Sequence, residues 1–129
     1  MSIFEEILAP LLAPAYGLQC AVIADADGEM IAQYGQYKGT GDDVGGADAI
    51  ALFGAHQGVV LMHLLHSVPQ CHRGTLREIS IRCRGEDWFV FPLATEYYLA
   101  VAGPHGVCIG RARATIRECV LRLWAEIAY

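Results

Sequence analysis

The chain has 129 residues and a formal charge of −5, with 54% hydrophobic and 18% charged residues. That is the size of one ordinary domain with ample apolar material for a core, so the composition excludes a disordered chain and leaves no room for a second large module. An acidic balance also argues against nonspecific DNA or anionic-membrane binding as the main task, although residues 1–72 hold eight acids and one base (Lys38) while residues 73–129 hold six acids and eight arginines.

Ser2 followed by Glu5 forms a capping box, and Ile3, Phe4, Ile7, Leu8, Leu11 and Leu12 make one apolar stripe. The spacing predicts a short first helix, disturbed at Pro10 and ended by Pro14. The run Leu18 to Ala24, the turn Asp25-Ala26-Asp27-Gly28 and the loose alternation Glu29 to Tyr34 read as a β-hairpin. Five glycines between Gly35 and Gly46 mark a loop.

Asp48 to Val68 reads as a long helix that is apolar on nearly every side and so needs cover on more than one. Its least apolar stripe is Leu52, His56, Val59, His63 and His66. From Ala49 to His72 there is no Asp, Glu, Lys or Arg, a length that could cross a bilayer. Gly54, His56, Gln57, Gly58, His63, His66 and Pro69 within it are costly at mid-bilayer, so a buried helix of a soluble protein is the expectation.

After a break from Pro69 to Gly74, Ile79, Ile81 and Cys83 alternate with Ser80, Arg82 and Arg84. Gly85-Glu86-Asp87 is expected to turn the chain, Trp88 to Leu93 to return it, and Tyr97 to Ala102 to form a last strand closed by Gly103-Pro104-His105-Gly106. Ile116, Cys119, Val120, Leu123, Trp124 and Ile127 share one face of a C-terminal helix, with Arg113, Arg117, Arg122 and Glu126 towards the other. The order αββαβββα describes an α+β domain over residues 1–129, with a five-stranded antiparallel sheet between helices.

That order resembles the roadblock/LC7 family, as a prokaryotic-type single-domain member. The matching text is Gly17-Leu18-Gln19-Cys20-Ala21-Val22-Ile23 leading into Asp25-Ala26-Asp27-Gly28, Phe91-Pro92-Leu93 through Tyr98-Leu99-Ala100-Val101, and Gly110-Arg111-Ala112-Arg113 opening the last helix. These are turns, strands and helix starts, and none is a catalytic signature. The resemblance implies a sheet with the middle helix on one face and the terminal helices on the other. It also implies dimers that join sheets edge to edge and pair their middle helices, in adaptors, dynein-associated proteins or regulators of Ras-like GTPases. Longin and profilin-like domains share the architecture, so the fold alone does not choose among these roles.

The chemistry-bearing residues point away from catalysis. His63 and His66 are one helical turn apart, a spacing that can hold a metal, but there is no H-E-x-x-H, and Cys71-His72 lies beyond a bend. A contact between subunits, or plain solvent, accounts for the histidines better. Five cysteines (Cys20, Cys71, Cys83, Cys108, Cys119) contain no C-x-x-C, and adjacent Cys71 and His72 do not make a nucleophile–base pair. Cys20, Cys83 and Cys119 fall on apolar faces and read as small buried hydrophobes.

Residues Gly39 to Gly46 lack the Gly-Lys-Ser/Thr ending of a phosphate loop, and Asp42 and Asp43 would repel phosphate. Gly54 and Gly58, with Ala51 and Ala55, let a helix lie close on a sheet. Arg82, Arg84, Arg113, Arg117 and Arg122 are either solvated faces or a patch for a partner. An acidic start without a basic n-region, the absence of a disulfide framework and the absence of any Asn fit a reducing, cytoplasmic home.

The expectation is a non-enzymatic regulator or adaptor that forms a homodimer and, by the resemblance, binds a Ras-like small GTPase. No catalytic residue, cofactor, metal, nucleic acid or membrane span is expected. The expected interface comprises Leu52, His56, Val59, His63, His66, Ile79, Ile81, Arg82 and Cys83. A small-molecule sensor of PAS or GAF type, or a scaffold for another complex, is the alternative.

Overall fold

The structure, a computed structural model, describes residues 2–25, 29–35, 77–82, 85–93 and 97–127. Helix α1 (Ile3–Leu8) starts where its cap predicts: Ser2 Oγ accepts a hydrogen bond from the Glu5 N–H at 3.2 Å, and Glu5 and Glu6 sit favourably in the first turn. Pro10 cannot continue the α-helical ladder, and the chain tightens into a 3-10 turn over Ala9–Leu12 and another over Pro14–Tyr16. The stripe Ile7, Leu8 and Leu11 is fully buried by this arrangement.

Five strands follow: β1 (Cys20–Asp25), β2 (Met30–Gly35), β3 (Ile79–Arg82), β4 (Glu86–Pro92) and β5 (Tyr97–Pro104). All pairings are antiparallel, in the order β2-β1-β5-β4-β3. A 3-10 turn over Ile109–Ala112 leads into helix α2 (Arg113–Ile127). The hairpin expected around Asp25 closes as β1 and β2: Asp25 Oδ1 accepts from the Glu29 N–H at 2.9 Å, and the Asp25 N–H donates to the Glu29 carbonyl at 3.0 Å.

The strands β1, β4 and β5 are buried on both faces, which is why they read as near-continuous apolar runs. On one face Ala21, Ile23, Phe89, Phe91, Leu99 and Val101 form one cluster with Ile7 of α1, Leu11 of the 3-10 turn after it, and Ile116 and Leu123 of α2. On the other, Cys20, Val22, Ala24, Trp88, Val90, Tyr98, Ala100 and Ala102 form a second cluster, with Ile79 and Ile81 packed at its margin. Both terminal helices therefore lie on one face, as the resemblance implies. The helix expected over Asp48 to Val68, the glycine loop before it and the break after it lie outside the described residues.

Three sequence expectations need correction. Glu86 and Asp87 do not turn the chain; they belong to β4, where Asp87 pairs with Arg82 on one side and Gly103 on the other. For the same reason β5 continues to Pro104 rather than ending at Ala102. Trp124, expected on the buried face of the last helix, is 47% exposed, and Val120 and Ile127 are only half-buried. The sheet takes up Ile116, Cys119 and Leu123, a narrower stripe than the sequence offers.

Candidate partner-binding surface

Strand β3 stands at one end of the strand order, with β4 beside it. Its register puts Ile81 opposite Trp88 and Ile79 opposite Val90 on the second face, so Ser80 and Arg82 project towards the face of the terminal helices. Of the expected interface residues, Ile79 and Ile81 are half-buried and Arg82 is exposed at the sheet end. Leu52, His56, Val59, His63, His66 and Cys83 lie outside the described residues.

Arg82 is already engaged. Its Nη1 donates to Asp87 Oδ2 at 2.5 Å, and its guanidinium lies 5.3 Å from the centre of the Phe89 ring. Asp87 is fully buried; its Oδ2 also accepts the Gly106 N–H at 2.8 Å, and His105 Nδ1 stands 3.3 Å from Oδ1. Burial by itself raises this carboxyl's pKa. The Gly106 N–H, the Arg82 hydrogen bond and charge, and His105 outweigh it and hold the group below its ordinary value. Asp87 thus ties the start of β4 to the turn after β5, and Arg82 joins the end of β3 to it.

A cleft of about 460 Å³ opens between the end of the sheet and α2. Phe91, Pro92, Ile116 and Val120 supply its apolar lining, while Arg77, Glu78, Arg113 and Arg117 supply its charges. Arg113 Nη2 donates to Glu78 Oε2 at 3.1 Å across the opening. The sequence had singled out Arg113 and Arg117. It gave no signal for Arg77 and Glu78, because they meet α2 only through the sheet, 35 residues away in the case of the Arg113–Glu78 pair.

The described cysteines do not form a reactive centre. Burial pushes the Cys20 thiol up to about 12, against a smaller opposing effect of a hydrogen bond with the Ala102 backbone. Burial likewise pushes Cys119 up to about 11, with Arg122 pulling weakly the other way. Both are protonated near neutral pH and fit the reading as small core residues. Cys108 is exposed, and Cys71 and Cys83 lie outside the described residues. Among the described residues, no three or more His, Cys, Asp or Glu are grouped to hold a metal ion, and no helix is long and apolar enough to cross a membrane.

This backbone has close counterparts among solved structures. A roadblock/LC7 domain from Streptomyces avermitilis superposes with a TM-score of 0.78, covering 97% of this chain and 98% of that one at 13% identity. The chain has the roadblock/LC7 fold. The same roadblock/LC7 arrangement superposes on Myxococcus xanthus MglB with a TM-score of 0.78 at 9% identity, over 99% of this chain and 97% of that one. Myxococcus xanthus MglC matches with a TM-score of 0.62 at 17% identity, over 93% and 98%. No protein-family model and no curated protein matches the sequence. A likeness at such low identity shows where strands and helices run and assigns no role to the side chains around the cleft.

Proposed function

We propose that this chain is a non-enzymatic regulator or adaptor of the roadblock/LC7 type, which acts in the cytoplasm as a homodimer, binds a Ras-like small GTPase and modulates its nucleotide cycle. The observation that carries the reading is the superposition on MglB over 99% of the chain, which extends the sequence resemblance from separate motifs to the whole backbone. The protonated thiols of Cys20 and Cys119 and the engagement of Arg82 by Asp87 favour binding over chemistry. An arginine held by a buried carboxylate is a poor candidate to be lent to a partner's phosphate.

The dimer joins β3 to its copy, since an end strand offers backbone groups for pairing. It also buries the sequence stripe Leu52, His56, Val59, His63 and His66 against its symmetry mate. Sedimentation at micromolar concentration is expected to give twice the 14.0 kDa of one chain. A 14 kDa species would remove the dimer. Histidines facing their copies repel when protonated, so the dimer dissociation constant is expected to rise between pH 8 and pH 5.5. The partner is tested by pull-down with Ras-like GTPases loaded with GDP or a non-hydrolysable GTP analogue. Binding in one nucleotide state is expected, and failure in both would overturn the GTPase reading.

A further inference from the structure

We propose that the cleft and the adjoining flank of α2 form a docking site for a segment of a partner protein that carries carboxylates at one end and a large apolar side chain at the other. At 3.6 residues per turn, Arg113, Arg117, Val120 and Trp124 fall within about 60° of one another along α2. The first three line the cleft, and Trp124 continues the stripe one turn beyond it. The acids of the helix, Glu118 and Glu126, project away from that stripe.

The charges select the occupant. Arg113 is shared with Glu78, but among the described residues neither Arg77 nor Arg117 has a carboxylate partner. This local excess of positive charge stands on a chain of formal charge −5, and it attracts an acidic segment to the cleft. At the other end Trp124 is 47% exposed, and tryptophan and arginine are the residues most enriched among interface anchors. The rise from Arg117 to Trp124 is about 10 Å, which an extended peptide spans in about three residues. A concave cleft between a helix and a sheet end suits a peptide better than a planar lipid surface.

The site is independent of the GTPase reading, because its occupant is measured with no GTPase present. The probe is a fluorescein-labelled peptide EDEGLFL, followed by anisotropy at low and high salt, with KKKGLFL as the charge control. Micromolar, salt-sensitive binding of the acidic peptide alone is expected. Arg77→Glu with Arg117→Glu is expected to weaken it at least tenfold, and Trp124→Ala about fivefold or more, with circular dichroism and urea midpoints showing that both variants fold. Equal affinity for the two peptides, or an acidic peptide indifferent to both variants, would overturn the proposal. So would binding to vesicles of phosphatidylcholine with phosphatidylserine in place of the peptide, since that outcome assigns the patch to a membrane.

Discussion

The Cys119 thiol donates a hydrogen bond to the main-chain carbonyl of Ile7 across 2.8 Å, tying the last helix to the first inside the core. Deleting that donor leaves a buried carbonyl with one partner fewer and a small void. Cys119→Ala is therefore expected to cost about 1–2 kcal/mol in urea unfolding. An unchanged midpoint at unchanged slope would show that the contact adds nothing.

Thiol reactivity should separate the described cysteines by burial. Iodoacetamide at neutral pH is expected to alkylate Cys108 in the native protein and to leave Cys20 and Cys119 intact until denaturant is added. Peptide mapping by mass spectrometry reads the three sites separately. Native labelling of Cys20 at the rate of Cys108 would contradict its burial.

Asp87 makes stability depend on acid. Its folded pKa lies below the ordinary value of 3.8, so the contribution is fully present above that value and is lost as pH falls through the folded pKa. Asp87→Asn keeps the shape and removes the charge. The variant is expected to unfold at lower urea than the parent at pH 7, with the gap closing below about pH 4. A gap that stayed constant from pH 7 to pH 3 would assign the loss to packing instead.

Gly35 ends β2 with φ of 89°, a conformation that side chains other than glycine adopt at a cost. A Cβ there would also collide with Leu12 Cδ2 and the Gln19 carbonyl oxygen. Gly35→Ala is expected to destabilise the fold by about 2 kcal/mol or more, read from the thermal or urea midpoint. Gly106 has a similar φ of 87° but open space around it, so Gly106→Ala is expected to cost less.

The elements that the sequence revealed are those governed by neighbours along the chain. The cap at Ser2, the disturbance at Pro10 and the hairpin at Asp25 each depend on residues a few positions away, and each is found. Asp87 gives no such signal because one of its partners is remote: Gly106 lies 19 residues on, and without that N–H a Gly-Glu-Asp sequence looks like a turn. Helical phase shows which residues could be buried, while packing decides which are, so Trp124 falls outside the buried stripe. Sequence periodicity carries no record of which helix a strand end will meet, so nothing local marks Arg77 and Glu78 as neighbours of α2.

The pairing of β1 with β5 has a consequence for synthesis. Cys20 lies opposite Ala102, so the second strand in from the sheet's edge acquires its inner neighbour only after all the other strands have been made. A nascent chain that has not yet reached Tyr97 can close the hairpin of β1 with β2, but it leaves Val22 and Ile23 without the strand that flanks them in the finished sheet. The closing contacts span most of the chain, so ordering the loop between them precedes the reward, and folding should be slow compared with that of a helical bundle of equal size. Until β5 arrives, the newborn protein carries an apolar strand with one open side, which makes the interval before β5 is made an aggregation-prone one.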